Sequence, residues 1–181
     1  MLASLARRSA IATLAVAIVA AVLPARAQQA PPAAAPGAPP PDSQRFDDWR
    51  RQCEPPQPGK PETCFVFQKV VVKETGRELL AIAIGYLGEK RIPAAILTVP
   101  LGIYLPHGLV FTVPGVQPIR VVVETCTPQG CRGGTALSDD ILAAMRKGER
   151  GEVTLQDARQ HTVNLPISLK GFTRSFASLN K

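Results

Sequence analysis

The chain has 181 residues, with 21 Lys and Arg against 14 Asp and Glu, a formal charge of +7 and four cysteines. The length suits one domain better than two. The basic residues are scattered as pairs such as Arg50 with Arg51 and Lys90 with Arg91, not set in a block interleaved with aromatics, which speaks against nucleic-acid binding.

The first element is the stretch "MLASLARRSAIATLAVAIVAAVLPARAQQ". Arg7 and Arg8 precede an apolar run of 13 residues from Ile11 to Leu23, followed by the small-residue triplet Ala25, Arg26, Ala27. This is the layout of a secretory signal peptide over residues 1–27. The run is short of the roughly 20 residues that a spanning helix needs, so no transmembrane span is expected after cleavage. Gln28 would follow the cut, leaving no amino-terminal cysteine to lipidate. Removing Arg7, Arg8 and Arg26 leaves 18 basic against 14 acidic side chains, a net charge of +4. Arg7 and Arg8 leave the Sec and twin-arginine routes both open. Residues 28–43 are nearly all Pro and Ala and read as an extended linker, with the folded domain over 44–181.

Within the domain, short runs rich in Val, Ile and Leu are broken every eight to twelve residues by Gly and Pro, which predicts strands. In order these are "RFDDWRRQC", "TCFVFQKVVVK", "LLAIAIGYL", "PAAILTV", "LVFTV", "IRVVVETC", "EVTLQDA" and "HTVNLPISL". A helix is predicted over about 138–147, with Ser138 as its N-cap, Asp139 and Asp140 in the first turn, Arg146 and Lys147 in the last, and Gly148 as its stop. The tail "GFTRSFASLN" reads as a short helical turn carrying Phe172, Phe176 and Leu179. Many strands and few helices predict a mainly β fold, an antiparallel β-sandwich or a partly open barrel.

The cysteines, at 53, 64, 126 and 131, allow three pairings. Chain entropy does not choose among them. It gives about 2.2 kcal/mol to a six-residue loop, about 2.8 to a twelve-residue loop and about 4.5 to a bridge from Cys53 to Cys126. Proximity and turn geometry favour the local pairs. Pro128 and Gly130 suit a tight turn that sets Cys126 opposite Cys131, in a hairpin after which Gly133 and Gly134 lead toward the helix. Cys53 and Cys64 flank a Pro-rich loop between two strands. The spacings fit neither a structural zinc site nor a thioredoxin-like redox pair.

An ordered set of features now carries a resemblance. Trp49 stands four residues before Cys53, and Cys53 and Cys64 surround the Pro-rich loop. There follow "TVPLGIYLPHGLVFTV", "CTPQGC", "LSDDILAAMRKG" and "LPISLKGFTRSFASL". From Phe46 to Leu179 the chain resembles the invasion associated locus B family. The resemblance implies an exported, β-rich, disulfide-bonded envelope protein of alphaproteobacteria, with no established catalytic residues or cofactor. The linker at 28–43 is not part of the shared core.

Chemistry is sparse. His107 and His161 fall in predicted turns, and no nucleophile elbow, zinc-protease or phosphate-loop motif is present. Asp47 and Asp48, read as adjacent strand residues, point to opposite faces and cannot share a substrate. No catalytic residue, cofactor or metal is expected. The loop "PLGIYLPHG" is a candidate interaction site through Ile103, Tyr104, Leu105 and His107, set against a plainer reading as a bend whose apolar side chains turn into the core. In "SLKGF", Gly171 is expected to end the last strand with positive φ while Phe172 packs beneath it. The expected function is a non-enzymatic binding module, periplasmic or secreted and peripherally associated with the outer membrane, whose partner is an envelope protein or polysaccharide. The alternatives are a host-cell adhesion or invasion factor and a periplasmic redox or enzyme accessory. A large exposed apolar patch would identify the interaction face better than any motif.

Overall fold

The structure, a computed structural model, describes residues 44–54 and 62–180. The expected signal peptide, the linker and most of the Pro-rich loop after Cys53 lie outside the described residues. Among the described residues, eleven strands form two open antiparallel sheets that enclose the core, so the prediction of an antiparallel, sandwich-like β fold holds.

The larger sheet has seven strands in the order β1-β2-β3-β4-β5-β9-β8. Strands β1 (Gln44–Phe46), β2 (Trp49–Glu54), β3 (Thr63–Val71), β4 (Glu78–Leu87) and β5 (Ile92–Val99) follow one another as an antiparallel meander. The first of them corrects the sequence reading. "RFDDWRRQC" is not one strand but a hairpin that reverses at Asp47, whose φ is +51°. Aspartate tolerates this conformation better than most residues. Asp47 then pairs with Arg174 at 2.7 Å, and Asp48 accepts a hydrogen bond from the Ser168 hydroxyl at 2.6 Å. The two carboxylates serve different anchors because they sit in a turn, not because they alternate along a strand.

The smaller sheet has the order β11-β10-β6-β7, built from β6 (Leu109–Thr112), β7 (Ile119–Val121), β10 (Arg150–Gln156) and β11 (Thr162–Ser168). Its inward residues Leu109, Phe111, Val153, Leu165 and Ile167 meet Leu80, Ile82, Ile84, Ala95 and Leu97 of the larger sheet. Alternation sets which side chains face in. "IRVVVETC" is also corrected: it is not continuous. Its first part is β7 in the smaller sheet, and after an exposed crossing at Val122 it ends in β8 (Thr125–Thr127) of the larger one.

Gly133 makes that crossing possible. It and Gly134 lie within β9 (Gly130–Ala136), not in a link to the helix. A Cβ on Gly133 would stand 2.2 Å from the Val122 carbonyl oxygen. Gly133→Ala is therefore expected to cost about 2 kcal/mol in chemical denaturation, as overpacking against backbone does. An unchanged midpoint would show that the crossing strand can move aside.

The helix α1 (Asp139–Lys147) begins where expected, with Ser138 Oγ accepting the Ile141 amide at 3.4 Å and Ile141, Leu142 and Met145 buried. The tail forms α2 (Phe172–Ala177), followed by a 3-10 turn over Ser178–Asn180. Gly171 has φ +84°, and Phe172 is fully buried against Trp49, with ring centroids 5.2 Å apart. Phe176 continues the stack onto Phe172 and Tyr86.

Both local disulfides form. Cys53 pairs with Cys64 and Cys126 with Cys131, each across directly opposed strand positions with Cα atoms 3.9 and 4.0 Å apart. The second closes a hairpin whose loop is Pro128 and Gln129, since Thr127 already pairs with Gly130.

Candidate interaction surface

Antiparallel sheets that cover a core on one side usually present polar residues on the other. The outer face of the seven-stranded sheet departs from that rule. Inward positions of β3, β4 and β5 are Val66, Gln68, Leu80, Ile82, Ile84, Ala95, Leu97 and Val99. The alternate positions point away from the core, and they too are largely apolar.

Strand register arranges them in rows. One row runs Phe65, Gly85, Ala94, Ala136; the next runs Arg50, Phe67, Ala83, Ile96, Gly134; a third runs Lys69, Ala81, Thr98, Arg132. At one end Leu87 pairs with Ile92, and these are 52% and 47% exposed. Phe65, Phe67 and Ile96 are half-buried and belong neither to the core cluster nor to the residues packed against it. The rings of Phe65 and Phe67 lie 6.1 Å apart. Phe65 crosses a bare position, because a Cβ on Gly85 would come within 3.2 Å of the Phe65 Cβ. Aromatic cover over a strand glycine is a recognised way to steady such a position.

Charge is confined to the edge of this face. Lys69 is paired with Glu78 at 2.7 Å, while Arg50 and Arg132 stand at opposite ends of their rows. The face spans about 19 Å across four strands and about 20 Å along them, a geometric footprint of about 400 Å² that includes the polar positions Lys69, Thr98 and Arg132.

The candidate loop is placed beside the β10–β11 hairpin. Ile103 bridges Asp157, and the Tyr104 amide donates to the Gln156 carbonyl at 2.8 Å. Leu105, Pro106 and His107 form a 3-10 turn, held by the Arg120 guanidinium, which donates to the carbonyls of Pro106 and His107. Its four residues do not act as one surface. Ile103 packs on the core, Leu105 is exposed, and Tyr104 and His107 line a shallow hollow of about 470 Å³ with Val110 and Arg120. A larger groove of about 930 Å³ lies between the β6–β7 turn at Pro114 and α1.

His161 has a partner: its Nδ1 lies 3.2 Å from Asp157 Oδ2. Asp157 is chiefly a turn acceptor. The His161 amide, opposed by desolvation and aided by the Arg159 amide and the imidazole, holds its carboxyl below the usual 3.8. This is loop architecture, and the one metal-like grouping among the described residues is no better. Cys53, Glu62 and Cys64 are close enough to resemble a metal-ligand set, but the two sulfurs are bonded to each other and offer no thiolate. All four cysteines are paired, so no free thiol is present for redox exchange.

The outer face was missed by a reading based on loops and motifs. Its signal was nevertheless present, because "FVF" and "LLAIAIGYL" are continuous apolar runs rather than alternating ones, as strands covered on both faces are.

The chain matches the model of the family described as "Invasion associated locus B (IalB) protein" over residues 49–180. It is 26% identical over 129 residues to invasion protein B homologs from Brucella abortus strain 2308 and Brucella abortus biovar 1 strain 9-941, covering 70% of this chain and 72% of each relative. It is also similar to the crystal structure of invasion associated protein B from Bartonella henselae. That match has a TM-score of 0.67 and 25% identity, and covers 76% of this chain and 94% of the other.

Proposed function

The chain belongs to the invasion associated locus B family, and from that premise we propose that it is an exported, non-enzymatic binding module of the cell envelope that engages its partner through the outer face of the seven-stranded sheet. The observation that carries this reading is the apolar outer face built on β3, β4 and β5, which an isolated sheet in water would present as polar. Export is supported by the signal-peptide pattern of residues 1–27, with 28–43 as the linker and 44–181 as the domain, and by two disulfides, which persist in oxidising compartments. After cleavage the protein is periplasmic or secreted, held at the outer membrane only by its partner, an envelope protein or polysaccharide. The loop at Tyr104, Leu105 and His107 supplies a second, smaller contact.

The test compares envelope extracts passed over the processed protein and over Phe67→Glu, a substitution on the outer face that leaves the core untouched. The wild type is expected to retain a component that the variant loses. Identical eluates would remove the outer face as the binding surface. The names of the Brucella and Bartonella relatives favour a second reading, a host-directed adhesion or invasion role, which predicts that deletion lowers host-cell entry.

A further inference from the structure

We propose that the occupant of the outer face is a second copy of this chain, the two seven-stranded sheets packing face to face about a two-fold axis that runs along β4. This rests on the reading of that face as an interaction surface and names what covers it. An axis lying in the interface and parallel to the strands places each β3 over the other copy's β5, β4 over β4, and β2 over β9. Each cross-strand row then lies over itself, to within the roughly 30° of aligned sheet packing.

That superposition is complementary. Phe65 falls over Ala94 and Phe67 over Ile96, while Ala81 and Ala83 face their own equivalents. No long side chain on β4 holds the sheets apart there. Arg50, at the β2 end of its row, falls over Gly134 at the β9 end. The Glu124 carboxylate waits at that point, 3.7 Å from where a Cβ on Gly134 would be. Two Arg50–Glu124 pairs thus close the two sides of the interface; Lys69 lies over Thr98, with the other copy's Arg132 at the β2 edge beside it. A self-complementary patch of this kind is what a two-fold dimer requires. Because the footprint is about 400 Å² per copy, the total of about 800 Å² is that of a weak, transient association.

Sedimentation equilibrium of the processed protein, loaded from about 1 to about 500 µM, is expected to show a monomer–dimer transition within that range. Ile96→Arg should weaken it by about 100-fold, since each dimer would bury two unpaired charges. Arg50→Glu should weaken it by about 10-fold, and Arg50→Glu combined with Glu124→Arg should restore it to within a few-fold. The exchanged pair lies at the rim of the face, so it keeps the test informative even where Ile96→Arg does not fold. A monomer throughout, or a dimer indifferent to all three variants, overturns the proposal. A photo-crosslinker placed at Phe67 in cells separates the two levels. A monomer cross-linked there to another envelope component removes the dimer and leaves the binding surface standing, whereas a monomer cross-linked to nothing removes both.

Discussion

Reducing both disulfides is expected to lower the unfolding free energy by about 5 kcal/mol, the sum of about 2.8 for the twelve-residue loop closed by Cys53–Cys64 and about 2.2 for the six-residue loop closed by Cys126–Cys131. Domains of this size are stable by only about 5–15 kcal/mol, so the reduced protein should be marginal and its thermal midpoint lower by about 15 °C. The two bridges are far enough apart in the larger sheet to act independently, one joining β2 to β3 and the other β8 to β9. The β8 strand is three residues long, exposed throughout and at the sheet's edge. Such a short strand is held in register by its bridge more than by burial. Urea unfolding of the oxidised and reduced protein, and of Cys126→Ser with Cys131→Ser, checks the sum and its smaller share. A midpoint that moves by the equivalent of less than about 1 kcal/mol on full reduction would mean the reduced chain retains both hairpins unaided.

The residues that punctuate the chain were legible in advance, and those that decide between sheets were not. Ser138, Gly148, Gly171 and the Pro128–Gly130 turn each act within a few residues of themselves, so local chemistry was enough to place the helix, the tail and the second disulfide. "RFDDWRRQC" and "IRVVVETC" failed for another reason. Their breaks depend on distant partners: the Asp47 reversal is held by Arg174, and the Val122 crossing needs the space left by Gly133. No periodicity within either segment records those contacts. The outer face was a third kind of case. Its residues lie in three successive strands, and only register lines up Phe67, Ala83 and Ile96 in one row.

Trp49→Ala is expected to destabilise the protein by about 3–5 kcal/mol, the range for removing a buried aromatic side chain. Trp49 is fully buried, stacked on Phe172, and its indole N–H donates to the Ser168 carbonyl at 2.9 Å. It lies on β2 of the larger sheet and Ser168 ends β11 of the smaller, so this one side chain ties the two sheets together near their ends. Gln68 on β3 shares the tie. Its Nε2 donates to the Ser168 and Asp48 carbonyls at 3.0 and 3.2 Å, and its Oε1 accepts the Ser168 amide at 2.9 Å. Trp49→Phe keeps most of the packing and gives up one hydrogen bond, for about 1–2 kcal/mol. Gln68→Met takes their side-chain partner from the part-buried Ser168 amide and the Asp48 carbonyl and should cost about 1–2 kcal/mol. Because both side chains donate to the same Ser168 oxygen, Trp49→Phe combined with Gln68→Met should lose more than the sum: Gln68 still serves that carbonyl in the first single variant and Trp49 in the second, but neither does in the double. Urea unfolding by far-ultraviolet circular dichroism measures all four variants, and intrinsic fluorescence follows the wild type alongside, since Trp49 is the only tryptophan of the chain. Strict additivity would indicate that the two sheets are joined here by packing alone.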